Sequence, residues 1–391
     1  MALGCFRCQV LQDGEVCRDY GWQANLILDQ GLDQVATRPW VDCFQYAVAG
    51  TSDQSNYLAS GATTASQNGA TITLSGGSFR FTDTPTDYNK VLKWDSGEEA
   101  TVTQVTSPTT LRTNVARIKS AGSFRVYLTT QTGMGAEIAR SGTYATGPGA
   151  CGVTLSPGTG TLVFLRSFDF GIPALATTYR EVGVSWSGVP GNNLFARVPL
   201  ATPVVVQPHE RLRVIYELTL ALSPYVPDLR TFTITGWPVA PATNLSGHEL
   251  LESWGLYGID ASGARVALQS LDGVPLDSNE PSANGYAVMS TDATALNSFG
   301  ALPVNRYAFP KSAILLRLDP YSPGTFSRSK TAMVANDVGV SSGIRSLFVG
   351  PKCSDTNYPS LFLLRFAQAQ TKSPTNIMNL IFRYSWGRIL A

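Results

Sequence analysis

Short alternating runs, cut about every ten residues by turn-forming residues, constrain this chain more than any other feature. GTLVFLRSFDF (160–170), YREVGVSWSG (179–188), NLFARVPL (193–200), PVVVQPHE (203–210) and RLRVIYELTLAL (211–222) follow one another in this way. In the last run Leu212, Val214, Tyr216, Leu218 and Leu220 share one face at the period of two that a half-buried strand requires. Strands at this spacing are the signature of a sandwich or a barrel. Charged residues make up 15% of the chain, against 36 Gly and 23 Pro, a balance that suits many turns and argues against a helical enzyme.

The pattern extends in both directions. KVLKWDSGEEATVTQVTSPTTLRT (90–113) reads as three strands joined by turns at Asp95-Ser96-Gly97 and Ser107-Pro108. ATITLS and SFRF flank Gly76-Gly77, which predicts a hairpin. Beyond residue 228 further short runs continue to the end, separated by Asn/Ser/Pro/Gly loops at 272–285 and 319–343 that exceed what compact domains need. One helix is predicted, near 21–37, with Asp19 as its cap and Pro39 as its stop. Ala24, Leu28, Leu32 and Val35 fall on one face of it, widened by Trp22, Leu26 and Ile27. The expected architecture is mainly β, with several antiparallel β-sandwich or small-barrel domains and one N-terminal helix. Its divisions are a helical docking segment (1–42), a small β-domain (43–152), a β-sandwich segment (153–227) and a C-terminal β-domain with long loops (228–391), packed against the third in one arrangement.

Chemistry is hard to find in these residues. The two histidines, His209 and His248, starve most metal and acid–base schemes, and the residue four after His248 is Glu252, so no zinc-protease pair forms. GVSWSG (183–188) misses the nucleophile-elbow pattern at Ser187, and GPGACG (147–152) matches a dinucleotide fingerprint without the strand and helix that give it meaning. Asp272, Asp277, Asn279 and Glu280 could offer oxygens to calcium, but an EF-hand read from Asp277 fails at Ser282 and Val288. Glu98-Glu99 and Asp169/Glu181 could be imagined as glycosidase carboxylates, a role that demands they face each other across a sugar. Cys5 and Cys8 form a C-x2-C without a second pair, which leaves a metal role open. No catalytic residue, cofactor or metal is therefore expected, and the chain is read as not an enzyme.

Net charge is +1 with no basic run, so no nucleic-acid partner is expected. The first residues lack a signal-peptide pattern and no apolar run nears the roughly 20 residues of a spanning helix, so no membrane insertion is expected. That leaves NLIFRYSWGRILA (379–391) to be explained. Leu380, Phe382, Tyr384 and Trp386 alternate with Ile381 and Arg383, a strand apolar on one face and mixed on the other. As a bare edge it would aggregate, so it is expected to pair within the C-terminal domain with Arg383 and Arg388 at a subunit contact. The candidate interface is thus Trp22, Leu26 and Ile27 on the helix with Phe382, Arg383, Tyr384, Trp386 and Arg388 on this strand.

Several phrases, GEVCRDYGWQANLILDQGLDQVAT, FQYAVAGT, LKWDSGEEATVTQVTS, YREVGVSWSG followed by NLFARVPL, RLRVIYELTL and LIFRYSWGRIL, together resemble a family of structural proteins of tailed bacteriophages, tail or tail-fibre in type. The resemblance is stronger over 14–220 and the last dozen residues than over 240–370. It implies a virion component assembled in the bacterial host cytoplasm, and it carries no catalytic residues to transfer. The expected role is a tail or tail-fibre subunit in particle assembly and host attachment. Its partners would be copies of itself in a symmetric homo-oligomer, other virion proteins of the tail or neck, and a host surface glycan in one version. A head-decoration, neck or adaptor protein is one alternative. A glycan-binding or glycan-degrading protein is another, for which Trp94, Trp186, Trp237 and Trp254 could stack on sugars.

Overall fold

The computed structural model describes residues 2–35, 40–81, 90–146, 150–156, 161–221, 258–259, 265–266, 286–290, 306–307, 314–318, 321–334, 340–350, 362–372, 378–385 and 387–390. Long-range strand pairing begins at the first described residue. Strand β1 (Ala2–Gln12) turns through Asp13-Gly14, both at positive φ, into β2 (Glu15–Ala24). An Asp-Gly pair in that conformation is what a two-residue hairpin needs. Next come a two-residue strand β3 (Leu26–Ile27), the helix α1 (Asp29–Val35), a 3-10 turn at Trp40–Phe44 and β4 (Tyr46–Gly50).

The chain then makes β5 (Tyr57–Ala59), β6 (Thr64–Ser75), β7 (Val91–Trp94), β8 (Glu99–Ser107), β9 (Thr110–Gly122) and β10 (Phe124–Tyr127). It returns through β11 (Glu137–Ser141), β12 (Cys151–Ser156), β13 (Thr161–Asp169), β14 (Thr177–Ser185), β15 (Leu194–Val206) and β16 (Glu210–Ala221).

Two five-stranded antiparallel sheets form the frame, in the orders β12-β13-β16-β1-β2 and β11-β4-β14-β15-β3. Aromatic rings join them into a sandwich. Tyr216 of β16 lies 4.8 Å from Phe6, 5.2 Å from Phe44 and, across to the second sheet, 6.4 Å from Phe195. The buried alternation of β1 (Ala2, Gly4, Phe6, Cys8, Val10) pairs in register with the inward face of β16, from Ala2 opposite Leu220 to Gln12 opposite Glu210.

Residues 51–136 are an insertion between β4 and β11, which pair with each other (Gly50 opposite Glu137). The insert is a six-stranded sheet, β5-β10-β7-β8-β9-β6, around Ile72, Leu92, Trp94, Val102, Leu111 and Phe124. Its sheet is strongly curled. Strand β6 bends at Gly69 (φ 59), so that the Thr64 hydroxyl near its start meets the Ser75 hydroxyl at its end, 3.0 Å away. Buried Gln67 fills the bend, its amide donating to Gly69 O at 2.9 Å and Thr113 Oγ1 at 3.2 Å. Among its described residues the roll does not close into a barrel.

The C-terminal region adds β17 (Gly258–Ile259), β18 (Arg265–Val266), β19 (Tyr286–Ser290), β20 (Arg306–Tyr307), β21 (Ile314–Leu318), β22 (Ser327–Val334), β23 (Val340–Gly350), β24 (Phe362–Lys372) and β25 (Met378–Ser385). They form a two-stranded sheet β17-β18, a four-stranded sheet β20-β19-β23-β24 and a three-stranded sheet β21-β22-β25.

The mainly β, sandwich-type fold, with one α-helix among the described residues, agrees with the sequence reading; the divisions along the chain do not. Residues 1–42 are not a separate helical segment, because β1 sits between β16 and β2 inside a sandwich sheet. The sandwich draws on 2–50 and 137–221, and the small β-domain interrupts it. The helix expected near 21–37 is cut to seven residues. Its first half is strand, because β1 offers an open edge to pair with: Phe6 lies opposite Gln23, and Asn25 N donates to Gly4 O at 3.1 Å. Asp19 caps no helix; it accepts from Gly21 N at 2.9 Å and pairs with Arg7 at 3.0 Å. The expected hairpin at Gly76-Gly77 is a turn, with both φ positive, but β6 pairs with β9 rather than with the SFRF segment after the turn.

Candidate functional site: a polar junction at the helix

The short helix gathers segments from the whole chain. Its N-terminal turn begins where β3 ends, and Leu28, Leu32 and Val35 of the predicted apolar face are buried in the frame, while Ala24 lies in exposed strand. Gly31 lies so close to β15 that a Cβ would come within 2.4 Å of Phe195 O, which leaves no alternative to glycine there. The opposite face is polar. Gln30 donates to Thr132 O at 2.5 Å and Leu194 O at 2.9 Å, which ties the exit of the insert to β15.

Two aspartates one helical turn apart take different partners. Asp29 accepts from the Thr129 hydroxyl at 3.0 Å and pairs with the Arg388 guanidinium. Asp33 accepts from the Tyr321 hydroxyl at 2.5 Å and from Gly324 N at 2.8 Å. Burial, reinforced by the Asp33 carboxylate, pushes the Tyr321 phenol up, so it stays a donor. Arg388 also donates to Ile27 O, and its guanidinium carbon stands 5.9 Å from the centre of the Phe326 ring.

Residues 387–390 run along this junction as a strap. Ala2 N donates to Gly387 O at 2.8 Å and Ile389 N to Ala2 O at 2.7 Å, a parallel bridge onto the start of β1. Leu390 enters an apolar cluster built from both sides: Leu26, Leu28, Val48 and Leu194 of the frame, Val91 and Tyr127 of the insert. Lys93 of the insert donates to Leu390 O.

A second polar knot stands nearby at the insert's two connections. Glu181 and Arg197 pair at 2.8 Å with both side chains fully buried. Glu181 also accepts from Gly135 N at 3.2 Å and Ala136 N at 2.8 Å, while Arg197 donates to Gln54 O at 2.9 Å and to Gln131. Desolvation holds the guanidinium below its ordinary pKa, offset by the Glu181 charge. Both entry and exit of the insert are thereby fastened to β14 and β15.

Of the residues singled out from sequence, Leu26, Ile27 and Arg388 are brought together, but within this chain. Leu26 and Ile27 are each 1% exposed and Arg388 9%. Their interface role is corrected accordingly: the apolar pair has no free surface, and the arginine is spent on Asp29 and Ile27 O. Trp22 is 45% exposed on β2, with the Arg7 guanidinium 5.9 Å from its ring. Phe382, Arg383 and Tyr384 lie in β25 opposite Lys330, Ser329 and Arg328, so the strand pairs within the C-terminal region. Trp386 lies outside the described residues. Sequence reasoning missed Asp29, Asp33 and Lys93; the available signal was the i, i+4 spacing of the two aspartates, which sets them on one helix face.

The other chemical candidates take structural positions. Glu181 is locked as above, and Asp169 pairs with Arg213 at 2.6 Å. Glu98 pairs with Lys119 at 2.9 Å, and Glu99 lies 3.7 Å from Lys93. Cys5 and Cys8 point to opposite faces of β1, as three-residue spacing on a strand dictates, so they cannot close on one ion; burial pushes the Cys8 thiol up to about 12. No metal-ligating group of three or more side chains occurs among the described residues. His209 is exposed in the turn before β16, and His248 and the calcium candidates Asp272, Asp277, Asn279 and Glu280 lie outside the described residues. Trp94 is core, 1% exposed with its indole donating to Ala65 O at 2.9 Å; Trp186 is half-buried; Trp237 and Trp254 lie outside. No helix among the described residues is long and apolar enough to cross a membrane. No protein-family model, curated protein or solved structure matches this chain.

Proposed function

We propose that this protein is a structural subunit of a tailed-phage particle, of tail or tail-fibre type, that assembles with copies of itself and with other virion proteins and contributes to host attachment. The observation that carries the reading is how the charged side chains are used. Asp169–Arg213 and Arg388–Asp29 join segments distant in sequence, and Glu181–Arg197 holds both ends of the insert to β14 and β15, which suits a part built to hold shape. A sandwich frame carrying an inserted β-roll presents two separate surfaces, one for neighbours and one for display. The resemblance of 14–220 to tail-type structural proteins points the same way. Light scattering on the purified chain should return a multiple of the 41.9 kDa subunit mass, and labelled antibody should decorate the tail in electron micrographs of the particle. A strictly monomeric chain absent from particles would sink the proposal; label on the head or neck would move the subunit there.

A further inference from the structure

The strap of residues 387–390 occupies a groove whose two walls belong to different parts of the fold. Ala2, Ile27 and Asp29 line the frame side, and Lys93 the insert side. The strap's bonds fall into a recognisable pattern. Backbone bonds to both the N–H and the C=O of Ala2 extend a sheet edge, Arg388 reads a carboxylate and a carbonyl, and Leu390 fills the apolar cluster. Main-chain pairing with alternate side chains in specific pockets is the logic of strand addition by an extended peptide.

We propose that this groove is a peptide site for an extended Arg-x-Leu segment, filled here by the chain's own residues 387–390, and that its occupancy latches the insert to the frame. The Leu390 side chain is the wedge: it is buried in one cluster with Val91 and Tyr127 of the insert and Leu26, Leu28, Val48 and Leu194 of the frame. The Arg388 charge meets Asp29, which also accepts the Thr129 hydroxyl at the insert's exit. With the strap out, Asp29 loses its cation and the cluster loses a side chain at the seam, so the insert gains freedom without either core being touched.

Hydrogen exchange on the full chain carrying Arg388→Ala and Leu390→Ala tests it. The Asp29 amide, which donates to Thr129 O across the seam at 2.8 Å, should exchange at least tenfold faster, while Phe6 and Tyr216 in the frame keep their protection. Adding the peptide Gly-Arg-Ile-Leu-Ala should restore the slow rate, and the same peptide with Ala in place of Arg should not. Uniform acceleration throughout, no acceleration at Asp29, or a peptide without effect each overturns the proposal. Should the double variant fold poorly, Lys93→Met removes the contact to Leu390 O along with the partly exposed pair to Glu99 and should give the same local pattern at smaller amplitude.

Discussion

Arg197 and Glu181 set the terms at the level of single side chains. Both are fully buried, so their mutual attraction and their bonds to Gly135, Ala136, Gln131 and Gln54 must offset a large desolvation cost. Removing one partner leaves an uncompensated charge. Arg197→Met should therefore destabilise the protein by about 3–5 kcal/mol, and adding Glu181→Leu should recover most of that in urea melts. Double and single variants of equal stability would mean that the charges are hydrated after all. Glu98 behaves differently because it stands at the surface. Its hydrogen bond from Lys119 holds its pKa at about 2, below the ordinary 4.5. A depressed carboxylate contributes its stabilisation fully above pH 4.5 and loses it as pH falls towards 2. An NMR titration should place its midpoint near the lower figure, and Lys119→Gln should carry it back up; a midpoint unmoved by that substitution would show that the lysine is not the cause.

Helix α1 and strands β2 and β3 show how an element's context decides its form. The stretch from Trp22 to Val35 has helical spacing, yet only Asp29–Val35 is helix. The apolar pair Leu26 and Ile27 is drawn into a sheet opposite Arg197 and Ala196. Leu26→Asp would place a carboxylate in a position 1% exposed, so the frame should fail to fold and the protein should appear insoluble. Trp22→Asp, at 45% exposed, should change stability by under about 0.5 kcal/mol. A soluble, fully folded Leu26→Asp protein by circular dichroism would contradict the burial. The strands themselves were legible wherever alternation and turns coincide, as in β13 to β16 and at the Asp95-Ser96-Gly97 turn, where Gly97 N donates to Trp94 O at 2.8 Å. What local pattern cannot carry is the choice of partner. Ala2 pairs with Leu220 across more than half of the chain and Arg388 with Asp29 across nearly all of it, so the domain divisions and the polar junction were invisible until the pairings were known.

At the scale of the molecule, the described residues between 2 and 221 form a sandwich interrupted by a second fold, and the geometry of the interruption makes the arrangement testable. Gly50 and Glu137 stand directly opposite each other at the insertion point, and Thr51 N donates to Ala136 O at 2.9 Å. The two ends of the insert are therefore as close as neighbouring strands allow. Replacing 51–136 with Asn-Gly should convert β4 and β11 into an ordinary hairpin with the frame intact. The shortened chain gives up the Gly135 and Ala136 donors to Glu181, the Gln54 and Gln131 partners of Arg197, and the insert's half of the cluster around Leu390. Those losses fall at the seam, where water can now enter and solvate the freed charges, so the cost should be several kcal/mol rather than the loss of the fold. Circular dichroism should still show a cooperative β transition at a lower midpoint, and hydrogen exchange should show the amides of the β1/β16 pair protected. Replacing Leu26 or Leu28 with a polar residue should be better tolerated than in the full chain, because the insert no longer covers them. A shortened chain with no cooperative transition would mean that the frame needs the insert to fold, and that the two sheets around Tyr216 do not form an independent core.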